Sequence, residues 1–261
     1  MTPTLVFDIE TVPDVAGLRR VNELPASLTD ADVLDWALQQ RRAATGNDFI
    51  PVHFQRIVAI ACALRDESGL RIASVGALED PEAELIRRFF DLIDKHTPQL
   101  VSWNGGGFDL PVLSHRALIH GVTAARFWEL GDEDRDFRYN SYLGRYHTRH
   151  LDLMDVLAMY QPRNNAGLDA MARLSGFPGK LGFDGSEVRT AFEAGRLDEI
   201  RRYCETDVLN TWLIYLRFQQ LRGQLTPPQY EEELGRVRTC LSASKEPHFA
   251  EFLRAWQDGG A

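Results

Sequence analysis

The stretch Thr4-Leu5-Val6-Phe7-Asp8-Ile9-Glu10-Thr11-Val12-Pro13 decides how this 261-residue chain is read. Thr4 to Ile9 is apolar and β-branched until Asp8 interrupts it, and Thr11, Val12 and Pro13 end the run, so it predicts a short buried strand with acids at its end. Asp8 and Glu10 stand two apart, which on a strand sends both side chains to one face and Ile9 to the core behind. Carboxylates held that close repel unless a proton or a cation lies between them, and hard oxygen ligands suit Mg2+ or Mn2+. Taken alone, an Asp-x-Glu pair reads as readily as two solvated charges at a strand end.

Outward from this strand the pattern predicts an α/β domain. Residues 15–50 form an insertion, with Ser27 or Thr29 capping a helix that runs through Arg42 and Gly46-Asn47-Asp48 closing it. Arg56 to Leu64 is the strongest strand signal, and Leu70 to Val75, reached through Asp66-Glu67-Ser68-Gly69, predicts its antiparallel partner. Asp80-Pro81-Glu82 opens a helix with Pro at the first helical position, and strand pattern resumes at Leu100 to Trp103. Leu110 to His120 reads as helix, residues 131–149 as an extended surface loop, Leu151 to Met159 and Leu168 to Leu174 as helical, and Leu197 to Arg222 as the last strong helix. Beyond Pro227 one or two peripheral helices are expected. The division is a main domain over 1–225 and a C-terminal helical extension over 226–261.

Composition narrows the function classes. The apolar fraction is 44%, with five Trp and fourteen Phe, enough for a sizeable core. The 29 basic residues against 38 acidic ones give a net charge of −9, which excludes coating nucleic acid through a broad basic surface but not gripping a strand end through cations. Three cysteines, Cys62, Cys204 and Cys240, offer neither a disulfide framework nor a C-x-x-C pair, so a reducing, cytoplasmic setting is expected. Neither a signal peptide nor a membrane-spanning apolar run is apparent.

Two further acidic segments stand out. In Asn104-Gly105-Gly106-Gly107-Phe108-Asp109 three glycines permit tight turns and close approach of a ligand, and Asp109 starts a helix, where it reads equally as a plain N-cap. In Tyr203-Cys204-Glu205-Thr206-Asp207 the spacing stacks Tyr203 and Asp207 on one helix face. A tyrosine with a pKa near ~10 is a poor base at neutral pH but orients water by hydrogen bonding.

Together, Asp8-x-Glu10, Asn104-x-x-x-Phe108-Asp109 and Tyr203-x-x-x-Asp207 resemble the three motifs of the DEDD, or DnaQ-like, exonucleases, in the same order. The tyrosine in the third motif resembles the DEDDy branch, and the second motif resembles the proofreading domain of family B DNA polymerases and its stand-alone bacterial relatives. The resemblance spans about residues 4 to 220. It implies a ribonuclease-H-like mixed five-stranded sheet flanked by helices, and a two-metal-ion 3'-to-5' exonuclease acting on single-stranded DNA and releasing nucleoside 5'-monophosphates. It further implies Asp8, Glu10, Asp109 and Asp207 as ligands of two Mg2+ or Mn2+ ions, Tyr203 as the residue that orients water, and Thr11, Asn104 and Phe108 as substrate contacts. An exoribonuclease would use the same ligands, and a catalytically silent nucleic-acid-binding module of the same fold is the alternative from another class.

Other residues carry weaker signals. Asp152 reads either as a helix N-cap or as a support for the metal site. The interleaved aromatic and basic residues from Phe137 to His150 suit either stacking of unpaired bases or a folded surface hairpin. Cys204 reads as a small helix filler. The insertion, standing directly after Glu10, is placed to roof the site.

Overall fold

The computed structural model describes residues 2–258. The strands are β1 (Thr4–Pro13), β2 (Gln55–Asp66), β3 (Gly69–Ser74), β4 (Gln99–Ser102) and β5 (His150–Asp152), in the sheet order β3-β2-β1-β4-β5. β2 runs antiparallel to β1 and β3, whereas β4 and β5 run parallel to β1, so the sheet is mixed and ribonuclease-H-like. The helices are α1 (Val15–Val21), α2 (Asp30–Thr45), α3 (Glu82–His96), α4 (Asp109–His120), α5 (Leu153–Leu157), α6 (Leu168–Leu174), α7 (Val188–Glu193), α8 (Leu197–Leu221), α9 (Pro227–Ala243) and α10 (Pro247–Asp258).

β1 is the central strand, and its two faces meet different partners. Leu5, Phe7 and Ile9 enter an apolar cluster with Ile86, Phe89 and Phe90 of α3 and Leu113 of α4. Val6 enters the opposite cluster, with Leu209 and Leu213 of α8. Alternation along the strand therefore turns Asp8 and Glu10 toward α8, between Val6 and Val12 of the same apolar cluster. The ladder slips beside them: Glu10 faces Ala59 and Thr11 faces Ile57, leaving Val58 as the extra residue of a bulge. The Ile57 N–H donates instead to Glu82 Oε1 at 2.7 Å.

Four sequence expectations change. The helix expected from Leu151 begins only at Leu153, because His150, Leu151 and Asp152 pair with Leu100, Val101 and Ser102 as β5. Three residues are too few for periodicity to separate strand from helix. The insertion holds two helices rather than one: Asp14 caps α1 by accepting from Gly17 N–H at 2.9 Å, while Thr29 and Asp32 form a capping box on α2. The segment 131–149 is not wholly on the surface, since Phe137 and Tyr142 are buried and the Arg149 guanidinium lies 3.9 Å from the Phe137 ring centroid. Nor is the C-terminal tail peripheral: Tyr230, Leu234 and Val237 of α9 and Phe252 and Trp256 of α10 share the apolar cluster beneath α8. Among the described residues, no helix is long and apolar enough to cross a membrane.

Candidate active site

Asp8 and Glu10 face the side of α8 that carries Tyr203, Cys204 and Asp207. The Cys204 thiol lies 3.4 Å from both the backbone oxygen and Oδ2 of Asp8, which fixes the helix against the strand at this point. Asp109 reaches the same place from the other side of β1. It does not cap α4, whose N-cap position is Phe108 without a side-chain bond; its Oδ1 instead accepts the Ile9 N–H at 3.1 Å. Asp8 and Glu10 are half-buried, while Asp109 and Asp207 are buried at 4% and 7% exposure. Three segments separated by about a hundred residues each thus converge on one acid cluster.

Burial raises every one of the four carboxyls, and for Asp8 and Glu10 repulsion from the other members adds to it. Asp8 is pushed well above the ordinary carboxylate range by burial and then by Asp109, Glu10 and Asp207. Glu10 follows by burial and by Asp207 and Asp109, with Lys180 opposing. Asp109 rises to about 7, burial outweighing the N–H bonds that favour its charged form. Asp207 rises to about 6 by burial, against the opposing pull of Lys180 and the Tyr203 hydroxyl. Burial and the neighbouring carboxylates also push Tyr203 far up, so its hydroxyl stays protonated and acts as a donor.

The second-motif loop is built on Asp152. Its Oδ1 accepts from Asn104 N–H and its Oδ2 from Gly106 N–H, both at 2.9 Å, while Oδ1 also caps α5 through Asp155 N–H at 3.3 Å. Asp152 therefore caps α5 as the first reading has it, and the same carboxylate pins the loop that precedes Asp109. Asn104 adopts the left-handed region at φ 67°, and a Cβ at Gly105 would lie 2.3 Å from Ser102 Oγ, so the turn admits no side chain there. Phe108 packs edge-on against Phe49 of the insertion, with ring centroids 5.9 Å apart. Thr11 Oγ1 donates to Gln55 Oε1 at 3.0 Å, which ties the strand beside Glu10 to β2.

Lys180 carried no signal in the sequence, since a lone lysine in a loop has no spacing to read. Its ammonium lies 5.2 Å from the Tyr203 ring centroid and 3.4 Å from Asp184 Oδ2. The fully buried Asn210 of α8 holds the preceding residue, accepting from Gly179 N–H at 3.1 Å and donating to its oxygen at 2.9 Å. A Cβ at Gly179 would meet Asp169 Oδ1 at 2.4 Å, so this close approach requires glycine.

The donor set suits hard divalent cations. Ligand atoms of Asp8, Glu10 and Cys204 lie within 4.8 Å of one another, and Asp207 Oδ1 is buried without a hydrogen-bond partner among the described residues. A cation would complete that oxygen and supply the charge the cluster lacks. Burial keeps the Cys204 thiol protonated, which leaves the oxygens as the ligands.

Fold and cluster define an α/β protein with a carboxylate site on the middle of its central strand. The chain belongs to the family described as "predicted 3'-5' exonuclease related to the exonuclease domain of PolB", whose model matches residues 47–256. That range contains Asp109, Tyr203 and Asp207; Asp8 and Glu10 precede it and join them through geometry. The chain is 27% identical over 148 residues to a catalytic subunit of DNA polymerase epsilon from Saccharomyces cerevisiae, a match covering 54% of this chain and 6% of the polymerase. It is 26% identical over 147 residues to a catalytic subunit of the same polymerase from Arabidopsis thaliana, covering 52% of this chain and again 6% of the relative. The chain thus matches only a small part of the length of these polymerases. The structure of the family B DNA polymerase from the archaeon Pyrobaculum calidifontis is similar over 100% of this chain and 27% of its own, with a TM-score of 0.49 and 19% identity.

Proposed function

We propose that the chain removes nucleotides one at a time from the 3' end of single-stranded DNA, hydrolysing each phosphodiester to release a nucleoside 5'-monophosphate. The observation that carries this reading is the convergence of Asp8, Glu10, Asp109 and Asp207, all with raised carboxyls and with one oxygen of Asp207 lacking a partner among the described residues. These four would hold two divalent ions, Mg2+ or Mn2+. Bound there, the ions supply Lewis acidity, which makes water a nucleophile near neutral pH and offsets charge on the departing 3' oxygen.

The remaining roles fall to the chain. Tyr203, kept protonated, donates a hydrogen bond that orients the attacking water and takes no part as a base. Asp152 and the three glycines hold Asp109 and the backbone of Asn104 in register with β1. Asn104, Phe108 and Thr11 are assigned as contacts for the terminal nucleotide. Lys180 balances part of the negative charge around Glu10 and Asp207.

The test is a 5'-labelled single-stranded oligonucleotide incubated with the purified chain and Mn2+. Stepwise shortening that disappears in Asp8→Ala is expected; a label that stays full length, or shortening that survives the substitution, refutes the proposal. Matched DNA and RNA oligonucleotides measure which sugar is preferred, and DNA is expected to be cut faster.

A further inference from the structure

The C-terminal helix α10 sends one side chain against α8 at the turn that carries the third motif. His248 Nε2 lies 2.7 Å from Glu205 Oε2, and the two side chains are only 10% and 12% exposed. Glu205 stands between Tyr203 and Asp207 in sequence. Its other oxygen, Oε1, accepts the N–H and the hydroxyl of Ser74 at the end of β3, at 2.8 and 2.7 Å. Burial alone would raise the Glu205 carboxyl, but the bonds from His248 and Ser74 outweigh it and hold it low. Glu205 is therefore a charged acceptor, and the Nε2 of His248 carries the proton it donates.

The backbone that presents His248 is anchored on its own. Phe249, Phe252 and Trp256 of α10 are buried in the apolar cluster beneath α8. The Trp256 ring meets Phe177 with centroids 6.0 Å apart, and the Arg238 guanidinium of α9 lies 4.5 Å from the Trp256 centroid. His248 Nδ1, by contrast, is buried without a hydrogen-bond partner among the described residues. An apolar side chain would fill the same space without stranding a polar atom, so packing alone does not account for a histidine here.

The fastening acts on rotation of α8 about its own axis. Successive residues of a helix project about 100° apart. The Cys204 thiol meets Asp8 of the central strand at 3.4 Å, and the next residue, Glu205, meets Ser74 of the edge strand and His248 of α10. Arg201, one turn before Glu205, adds a bond to Gly76 O at 2.6 Å. The helix is thus held at two points around its circumference, within the turn that carries Tyr203 and Asp207. A rotation of ~20° moves a side-chain tip at a radius of ~6 Å through ~2 Å. A metal ligand or a water-orienting hydroxyl tolerates far less.

We infer that His248 is a positioning residue for the carboxylate site: through Glu205 it fixes the rotation of α8 and with it the placement of Asp207 and Tyr203. The inference rests on the nuclease reading above for what those two residues do. It gives the C-terminal helix a part in the site that is exerted at a distance.

The test uses the full chain carrying His248→Gln or His248→Asn. Glutamine brings its amide nitrogen to the place of Nε2 and drops the ring nitrogen that bonds nothing. Asparagine is shorter, and its amide stands where Nδ1 was. Mn2+ binding is followed without nucleic acid, through the electron paramagnetic resonance signal of the free ion, and reads the placement of Asp207. His248→Asn should weaken it about tenfold, the scale of changes to groups that orient metal ligands, while His248→Gln stays within about threefold of wild type. On a labelled single-stranded oligonucleotide His248→Asn should lower kcat about tenfold and leave KM within about twofold, because the residues assigned to the strand lie off α8. Urea titration establishes that each variant is folded under the assay conditions; should His248→Asn not fold, His248→Leu, which fills the site without a donor, takes its place with the same thresholds. The inference is overturned if the donor-less variant binds Mn2+ less than about threefold more weakly than wild type, if His248→Gln falls outside its threefold window, or if the loss on the oligonucleotide lies in KM. A wild type that binds no Mn2+ overturns it as well. A wild type that binds Mn2+ with this dependence on His248 yet never shortens the oligonucleotide leaves the positioning role standing and removes the nuclease reading.

Discussion

Two groups of buried and half-buried acids pack against this one sheet, and only one of them is balanced. Glu82 and Asp14 surround Arg116: Glu82 Oε2 and Asp14 Oδ2 each accept a guanidinium N–H at 2.6 Å, and Glu82 Oε1 takes a third at 2.8 Å together with Ile57 N–H. Burial alone would raise Asp14, but the bonds from Arg116 and from Gly17 N–H outweigh it and hold its carboxyl low. The second group, Asp8, Glu10, Asp109 and Asp207, has Lys180 as its nearby cation, and its carboxyls all rise. A structural acid is folded together with its counter-charge. The second cluster leaves its counter-charge to something that binds, which is why it reads as a site.

The largest effects should come from unbalancing each group. Asp8→Ala is expected to lower kcat/KM on a single-stranded oligonucleotide on the order of 10³-fold, with the folded state intact in urea titration. An activity within tenfold of wild type would remove Asp8 from the chemistry. Arg116→Met is expected to do the reverse: it strands the buried Glu82 and the half-buried Asp14 and should cost about 3–5 kcal/mol of unfolding free energy. A loss under about 1 kcal/mol would mean that the Arg116 group contributes little to holding the insertion against α4.

The comparison also predicts opposite pH responses. Asp109, at about 7, and Asp207, at about 6, hold protons in the folded chain at pH values where the unfolded chain has released them. With more protons bound in the native state, unfolding free energy falls as pH rises from the ordinary carboxylate range, near pH ~4, through about 7. Asp14 works the other way: its lowered carboxyl contributes stability that is present above its unfolded pKa and is lost on acidification. In EDTA, urea midpoints should therefore drop between about pH 5 and pH 8, corresponding to about 1–3 kcal/mol once coupling among the acids is allowed for. Excess Mg2+ should flatten that slope, because the cation replaces the protons; a slope unchanged by Mg2+ would break the link between raised carboxyls and cation binding.

Much of the site was legible because its residues sit at fixed spacings within single elements. Asp8 and Glu10 share a strand face, and Tyr203 and Asp207 share a helix face, so local geometry already paired them. Asp109 was ambiguous because a helix-starting Asp caps helices more often than it does anything else, and only the bond from Ile9 N–H, a hundred residues away in sequence, turns its side chain to β1 instead of the helix end. Lys180 and Asn210 were invisible, since their relation to the cluster depends on a loop folding back onto α8. The fold shows the same division: β1 and β2 were plain, while β5 took its strand character from pairing with β4, which a three-residue segment cannot announce. The burial of Phe137 and Tyr142 likewise came from tertiary packing against Phe127 and Arg149, not from periodicity.

The smallest expected effect belongs to the residue that stands between the balanced and unbalanced acids. Asp152 is raised by burial, like the cluster, yet it has its N–H partners, like a structural acid. Asp152→Asn keeps the volume but offers one acceptor oxygen where the carboxylate offers two, so either Asn104 N–H or Gly106 N–H faces an amide donor instead. The loop should loosen, and kcat/KM should fall about tenfold, the scale of changes to residues that hold ligands in place. Removing the charge also removes one cause of Asp109's elevation, so the acid limb of the pH–rate profile should move to lower pH. A merely structural Asp152 would lower stability without shifting that limb, and a profile superimposable on wild type would assign it to the α5 cap alone.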